Sequence, residues 1–163
     1  MAINIRHVKV DDYIDISKIR KMDGVKDNIL STSDEPAEKM KNKIMSITSN
    51  DFWFVAEDNC KVIGVSILNR HSNPRKKHVA SITIMIDSNY HSKGIGTLLM
   101  KELINLSDNI IKLKRLELQV FADNEKAIKL YKKFGFVEEG VQKYSAIKND
   151  VYTDELMMAR IQK

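Results

Sequence analysis

The sequence predicts an α/β (α+β) fold with a mixed, mostly antiparallel sheet of about seven strands and helices on both faces. Two observations support this fold class. Seven segments have the length and apolar pattern of strands, and four others have apolar residues at helical spacing. The 163 residues, 43% apolar and 30% charged, are enough for one ordinary core and its surface, so a single domain over 1–163 is expected.

The first part of the chain is predicted to form a short strand and two helices. Ile3, Ile5 and Val8 form the strand, and Asp11 or Asp12 caps a helix that stops near Gly24. The side chains expected to face the core from this helix are Ile14, Ile16, Ile19 and Met22. Residues 37–47 are predicted as a second helix, with Met40, Ile44 and Ile47 on one face.

The middle of the chain predicts a hairpin and a long strand. Residues 52–57 alternate, a turn follows at Asp58-Asn59, and residues 62–68 continue as an apolar run. Residues 78–86 then alternate cleanly, with Ser81, Thr83 and Met85 on one face. These segments give the sheet three consecutive strands.

Two helices alternate with the remaining strands. Residues 95–109 carry Ile95, Leu98, Leu99, Leu103 and Leu106 at helical spacing. A strand at 115–121, a helix at 124–134 ended by Gly135, and antiparallel strands at 137–147 and 151–161 follow. The passage from residue 78 to residue 121 is expected to be a right-handed parallel crossover.

Composition excludes several classes of function. One cysteine, Cys60, cannot form an internal disulfide, and no His and Cys residues have zinc-ligand spacing, so no metal site is expected. The net charge of +5 is scattered rather than concentrated in a tract, which favours anionic small ligands over nucleic acid. No apolar stretch approaches a membrane span of roughly 18 residues, and Met1 to Arg6 does not resemble a signal peptide, so a cytoplasmic protein is expected.

The stretch from Ile84 to Thr97 contains the parts of an anion site. A strand stops, a polar loop turns, and Gly94 and Gly96 open an amphipathic helix. The amides from Ser92 to Thr97 have no partners inside that helix, and the two glycines carry no side chains that would hinder a ligand. A diphosphate fits such a loop, although an ordinary helix start that uses glycine only for the turn is an equal alternative.

Spacing excludes two nucleotide-binding motifs. A Walker loop needs Gly-Lys followed by Ser or Thr, but Lys93 precedes the glycine pair. A dinucleotide fingerprint needs a third glycine where Leu99 stands. A second constellation favours an extended ligand, because Asn124 and Tyr131 lie seven residues apart and therefore share one helix face.

These two passages together resemble the GNAT superfamily of acyl-CoA-dependent N-acetyltransferases, and the likeness runs from Ile5 to Ile161. The family's motif is Gln or Arg, two variable residues, then Gly-x-Gly or Gly-x-Ala, which matches His91, Gly94 and Gly96 except at His91. Local strings such as residues 120–124 and 131–136 are most similar to the bacterial L-amino-acid N-acetyltransferases.

The resemblance implies acetyl-CoA as cosubstrate and a set of residues that bind it. Amides of the glycine loop would grip the pyrophosphate, and the strand before it would pair with the pantetheine arm. Asn124 would bond the coenzyme, and Tyr131 would be catalytic as the proton donor to the sulfur. The implied cofactor-binding residues are Ile84, Met85, Ile86, His91, Ser92, Lys93, Gly94, Ile95, Gly96, Thr97, Asn124 and Tyr131.

The resemblance also implies direct transfer, in which a neutral amine attacks the thioester carbonyl and coenzyme A leaves as the thiol. A backbone amide near Ile86 is a candidate oxyanion donor. Some family members carry a carboxylate base on the strand where this chain has Ser81 and Thr83, so the base stays open between Glu117, Glu57 and a water relay. An α-amine, with a pKa near 8, is already partly neutral at pH 7, which favours a small amine such as that of an L-amino acid.

Acceptor recognition is expected from the loops at 25–33 and 69–77 and from the final hairpin, with Asn28, Arg70 and Tyr144 as candidates. The alternatives are acetylation of a protein or peptide N-terminus and a non-catalytic acyl-CoA sensor. Exposed strand edges favour a homodimer.

Overall fold

The computed structural model describes residues 2–32 and 34–163, and within them seven strands form one sheet. The strands are β1 (Asn4–His7), β2 (Asp51–Asp58), β3 (Lys61–Arg70), β4 (Val79–Ile86), β5 (Arg115–Phe121), β6 (Val137–Lys148) and β7 (Val151–Ile161). Their order is β1-β2-β3-β4-β5-β7-β6, and only β4 and β5 run parallel. The α-helices are α1 (Tyr13–Lys21), α2 (Ala37–Met45), α3 (Ile95–Asn105) and α4 (Glu125–Lys133). The predicted fold class is confirmed.

Two apolar clusters cover the two faces of the sheet. One includes Ile16, Ile19, Met40 and Ile44 of α1 and α2, which pack against alternate side chains of β2 to β4. The other contains side chains of α3 and α4, which pack on the opposite face. Because helices lie on both sides, both alternating sets of β2 are buried, including Trp53 and Phe54.

Three details of the sequence prediction are corrected. Ile14 is 46% exposed, because it lies about 160° around α1 from Ile16. Leu98 is likewise 38% exposed beside the buried face of α3. The helix predicted to run to residue 109 is α-helical only to Asn105, and residues 106–110 widen into a π-helical turn.

The parallel pair β4–β5 diverges after a short ladder. Its partners run from Val79 opposite Arg115 to Ser81 opposite Glu117, whereas β4 stays paired with β3 up to Ile86. The second halves of β4 and β5 therefore enclose a wedge-shaped opening in the sheet. None of the helices in residues 2–32 and 34–163 has the length and apolar character needed to cross a bilayer.

Candidate functional site

A cavity of about 340 Å³ lies where β4 and β5 diverge. Its lining combines the open strand edges, the start of α4, and side chains of α1, α2 and the segment after α1. The lining residues are Arg20, Asn28, Ile29, Leu30, Ser31, Met40, Lys43, Trp53, Ile67, Ile82, Thr83, Ile84, Met85, Gln119, Val120, Phe121, Asn124, Ala127 and Tyr131. The structure thus brings together Asn124, Tyr131 and the strand before the glycine loop.

The direction of the β4 backbone decides which main-chain groups face the wedge. Asp87 N–H donates to the Ile63 carbonyl at 2.9 Å, and hydrogen-bonding direction alternates along an antiparallel pair. Met85 therefore points its main-chain groups toward β3, whereas those of Ile84 and Ile86 point into the opening. The expectation that Met85 offers backbone groups to a ligand is corrected, although its side chain lines the cavity.

The glycine loop has the geometry of an anion site. The first backbone bond of α3 runs from Leu98 N–H to the Gly94 carbonyl at 3.1 Å, so the amides of Ile95, Gly96 and Thr97 precede the helical ladder. Gly94 has φ of +83°, a left-handed conformation that glycine adopts without strain. An added Cβ at Gly94 would meet nothing within 4 Å, so the backbone conformation, rather than crowding, requires this glycine.

Gly96 is required for a different reason. A Cβ there would lie 2.9 Å from Leu130 Cδ2 and 3.1 Å from Ile86 Cδ1. Gly96 therefore lets α3 approach α4 beside the end of β4. The close approach of the two helices holds the glycine loop next to the wedge.

Asp87 anchors the loop that leads to the glycines. This 1% exposed side chain accepts from Asn89 N–H at 2.9 Å and from Lys61 Nζ at 3.1 Å. Burial by itself would raise the pKa of Asp87, but these donors hold that pKa below its ordinary value of 3.8. The carboxylate is thus charged at neutral pH and fixes the turn.

His91, which departs from the family motif, uses its side chain within the protein. Its Nε2 lies 3.0 Å from the Ile86 carbonyl oxygen, so this nitrogen carries the hydrogen and donates. The bond connects the glycine loop to the end of β4. It occupies one acceptor site of Ile86 and leaves the Ile86 N–H facing the wedge.

Asn124 and Tyr131 line the cavity from α4. Asn124 caps the helix, and its Oδ1 accepts from Ala127 N–H at 3.3 Å, which leaves the amide nitrogen to donate. Tyr131 is 7% exposed, and its hydroxyl has no hydrogen-bond partner among the described residues. Burial raises the pKa of Tyr131 to about 12, so the hydroxyl stays protonated and can donate to a ligand.

Neither carboxylate considered as a base reaches the cavity. Glu117 lies on the paired part of β5, where its oxygens contact His71 Nε2 at 3.1 Å and Arg115 Nε at 2.8 Å. Burial opposes ionisation, but these contacts hold the pKa of Glu117 below its usual value. Glu57 of β2 is paired with Arg6 of β1. Both are structural ion pairs within the described chain.

The acceptor candidates separate into one that lines the cavity and two that do not. Asn28 lines it, with Oδ1 accepting from Lys148 Nζ at 3.1 Å. Arg70 instead donates to Asn50 Oδ1 on the neighbouring strand end, and Tyr144 is 74% exposed on the outer hairpin. Ser33 of the predicted acceptor loop lies outside the described residues. Cys60, also exposed, occupies the β2–β3 turn away from the cavity.

Sequence reasoning missed two cations of the cavity wall. Arg20 is 4% exposed and donates to Glu35 at 3.0 Å, to Ser31 Oγ at 2.9 Å and to the Thr32 carbonyl at 2.9 Å. Two of its five guanidinium N–H groups have no partner among these contacts. Lys43 Nζ lies 3.1 Å from the same Glu35 carboxylate. Lys39 and Lys43, followed by Arg20, hold the pKa of Glu35 at about 2. One signal was available, since Arg20 follows Ile16 by four residues and shares its buried face.

Comparison with known proteins identifies the family to which this chain is similar. Residues 22–136 match the family model described as "Acetyltransferase (GNAT) family". The chain is 36% identical over 159 residues to L-amino acid N-acetyltransferase AaaT of Escherichia coli, covering 98% of each chain. It is 32% identical to an Escherichia coli spermidine N(1)-acetyltransferase over 51% of this chain and 45% of that protein.

Solved structures match over nearly the whole chain. A GNAT family acetyltransferase from Streptococcus pneumoniae superimposes with a TM-score of 0.85 at 27% identity, covering 99% of both chains. A phosphinothricin acetyltransferase from Sinorhizobium meliloti, solved in complex with AcCoA, has a TM-score of 0.86 at 22% identity, covering 99% of this chain and 89% of that one. The second likeness shows a shared fold.

Proposed function

The chain belongs to the GNAT family of acetyltransferases, which use acetyl-CoA, and from this premise we propose that it acetylates the α-amine of an L-amino acid. The observation that carries the acceptor class is the charge of the cavity wall. Its lining includes Arg20 and Lys43 but no acidic side chain in the described chain, and the Glu35 carboxylate behind them offsets only one of the three positive charges of Arg20, Lys39 and Lys43. Such a wall favours an acceptor with a carboxylate beside its amine.

Three features of this chain fit acetyl-CoA. The amides from Ser92 to Thr97 suit its pyrophosphate, because they precede the α3 ladder around a left-handed glycine. The main-chain groups of Ile84 and Ile86 suit the amide-containing pantetheine arm, because they face an opening that β5 does not fill. The acetyl end would then lie in the cavity beside Asn124 and Tyr131.

Bound acetyl-CoA supplies a thioester whose carbonyl carbon reacts with an amine, and the residues of the chain position both partners. Tyr131 is protonated at neutral pH and would give its proton to the departing sulfur, so that coenzyme A leaves as the thiol. The free Ile86 N–H is the proposed donor to the carbonyl oxygen. Since neither Glu117 nor Glu57 reaches the cavity, the proton of the amine would leave through water.

Two properties of a free amino acid would favour its α-amine over a lysine side-chain amine: the lower pKa of the α-amine and the carboxylate beside it. An α-amine, with a pKa near 8, has a substantial neutral fraction at pH 7, whereas a lysine amine near 10.4 has very little. A carboxylate held by Arg20 and Lys43 would place the adjacent amine at a fixed distance from the wedge. The acceptor would thus be selected both by charge and by the protonation state of its amine.

A thiol-release assay tests this proposal. Wild-type protein with acetyl-CoA is expected to release thiol with amino acids but much less with the matching amino-acid amides, which lack the carboxylate. Replacing Lys43 by Met should raise the KM for amino acids about three- to tenfold. Lys39→Met is the matched control, because Lys39 also contacts Glu35 without lining the cavity.

The assay also distinguishes the proposed function from the alternative functions. Peptides that react better than free amino acids would indicate an N-terminal acetyltransferase. Coenzyme binding without thiol release from any amine would indicate a sensor. Equal activity on amino acids and their amides, unaffected by Lys43→Met, would refute the carboxylate contact.

A further inference from the structure

An outer cleft adjoins the cavity and has the opposite charge. It lies between residues 26–32 with Asp34 on one side and the β6–β7 hairpin on the other, and shares Ile29, Leu30, Ser31, Gln119 and Phe121 with the cavity. Its charged lining residues are Lys26, Asp34, Asp150 and Glu155. The two adjoining spaces are therefore basic near the wedge and predominantly acidic toward the hairpin.

Glu155 is the unusual member of this lining. It lies on β7 opposite Phe121 of β5 and Gln142 of β6, and is only 6% exposed. Across the described chain, its carboxylate has neither an ion-pair nor a hydrogen-bond partner. In the described chain, the fully enclosed side-chain polar atoms without a partner are Ser17 Oγ and Ser66 Oγ, and the Glu155 oxygens are not among them. The carboxylate is therefore buried among side chains yet reachable from the cleft.

Neighbouring cations of the protein are engaged elsewhere. Lys26 Nζ lies 2.6 Å from Asp23, and Lys148, which sits over the Phe121 ring, pairs with Asp123 at 2.9 Å. A largely buried carboxylate without a partner is unfavourable, because it loses hydration without gaining an opposite charge. A cation that entered the cleft would supply the missing partner.

We propose that Glu155 binds a positively charged group on the acceptor, so that the preferred substrates are amino acids with a cationic side chain. This inference rests on the proposed function. Arg20 and Lys43 would hold the α-carboxylate near the wedge, while the side chain would extend past Gln119 and Phe121 to Glu155. Opposite charges in the two adjoining spaces would orient such an acceptor with its α-amine toward Tyr131.

Matched acceptors isolate this contact. Lysine and norleucine share the α-carboxylate, the α-amine and a four-carbon side chain, and differ in the terminal ammonium. Nε-acetyllysine keeps a long side chain without its charge. Wild-type kcat/KM is expected to be about tenfold higher for lysine than for either neutral acceptor, with acetylation at the α-nitrogen established by mass spectrometry of the product.

Glu155→Gln removes the charge while preserving the shape of the side chain. It should lower kcat/KM for lysine about tenfold, mainly through KM, and leave norleucine unchanged. Glu138→Gln is the control, because Glu138 is paired with Lys132 away from the cleft. Lysine should also stabilise the wild-type protein with coenzyme A against heat more than it stabilises Glu155→Gln.

The outcomes distinguish the two proposals. Equal kcat/KM for lysine and norleucine, or a lysine preference that survives Glu155→Gln, would overturn the role of Glu155 while leaving amino-acid acetylation intact. Activity on spermidine or putrescine but on no amino acid, lost in Glu155→Gln, would refute the proposed function and support the cation site. Absence of turnover together with equal stabilisation of both proteins by lysine would overturn both.

Discussion

The left-handed conformation of Gly94 makes a quantitative prediction about coenzyme affinity. An alanine Cβ at this position would meet nothing within 4 Å, so any effect must come from holding φ at +83°. A non-glycine residue pays about 1–2 kcal/mol in this region, and the loss of freedom in the unfolded chain offsets about 0.4–1 kcal/mol of it. The net destabilisation of Gly94→Ala is therefore about 1 kcal/mol.

The native-state strain of about 1–2 kcal/mol favours rearrangement of the loop in the free protein, and the unfolded-chain offset does not enter this native equilibrium. Acetyl-CoA must then restore the arrangement of the amides from Ser92 to Thr97, so its Kd should rise about 5- to 30-fold. Gly94→Asn should have a smaller effect, because asparagine tolerates this conformation better than alanine.

Isothermal titration calorimetry with acetyl-CoA measures the predicted change directly. Gly140→Ala is the matched control, since an added Cβ there also meets nothing within 4 Å and its φ lies outside the left-handed range. The control should leave the Kd unaltered. An unchanged Kd in Gly94→Ala would refute the assignment of this loop conformation to coenzyme binding.

Three further substitutions test other parts of the structure. Tyr131→Phe should lower kcat about 100-fold while the Kd for acetyl-CoA changes little, and equal turnover would exclude Tyr131 as the donor. Asp87→Asn should reduce the free energy of unfolding by about 1–3 kcal/mol at pH 7 in urea titrations. Because folding lowers the pKa of Asp87, this difference should be fully present above pH 3.8 and should shrink as the pH falls through the lowered pKa; a difference that does not change with pH would contradict the ion-pair explanation. Cys60→Gly should stabilise the fold by up to about 1 kcal/mol in the same titrations, since Asn59 and Cys60 both have positive φ in a two-residue turn. Cys60→Ser should leave the stability unchanged. Equal effects of the two substitutions would disprove backbone strain at this turn.

Local patterns were sufficient to predict the elements that carry the proposed coenzyme contacts. The glycine loop, the strand before it and the pair Asn124 and Tyr131 each lie within a short segment of sequence, and helical and strand periodicities fix their relative directions. The strand at 115–121 was predicted with its observed bounds for the same reason. Helix ends were less predictable, because the π-helical turn after Asn105 has an apolar pattern similar to that of α3.

Pairing between distant residues limited the rest of the prediction. Glu117 carries the carboxylate that a general base requires, but only the fold places it against His71 and Arg115. Arg70 is likewise removed from the acceptor set by its contact with Asn50, the residue before β2. The homodimer stays a prediction that follows from the edge position of β6, where Val141 and Ile147 are exposed.

The separation of the site into two halves has a consequence for specificity. The proposed coenzyme contacts come from β4, the glycine loop and α4, whereas the proposed acceptor contacts Arg20, Lys43 and Glu155 come from α1, α2 and β7. Only the wedge joins the two sets. A substitution at Lys43 or Glu155 should therefore alter acceptor choice without disturbing the main-chain geometry around Gly94. Acceptor specificity in this chain should consequently depend on a few charged side chains, while the affinity for acetyl-CoA depends on backbone conformation.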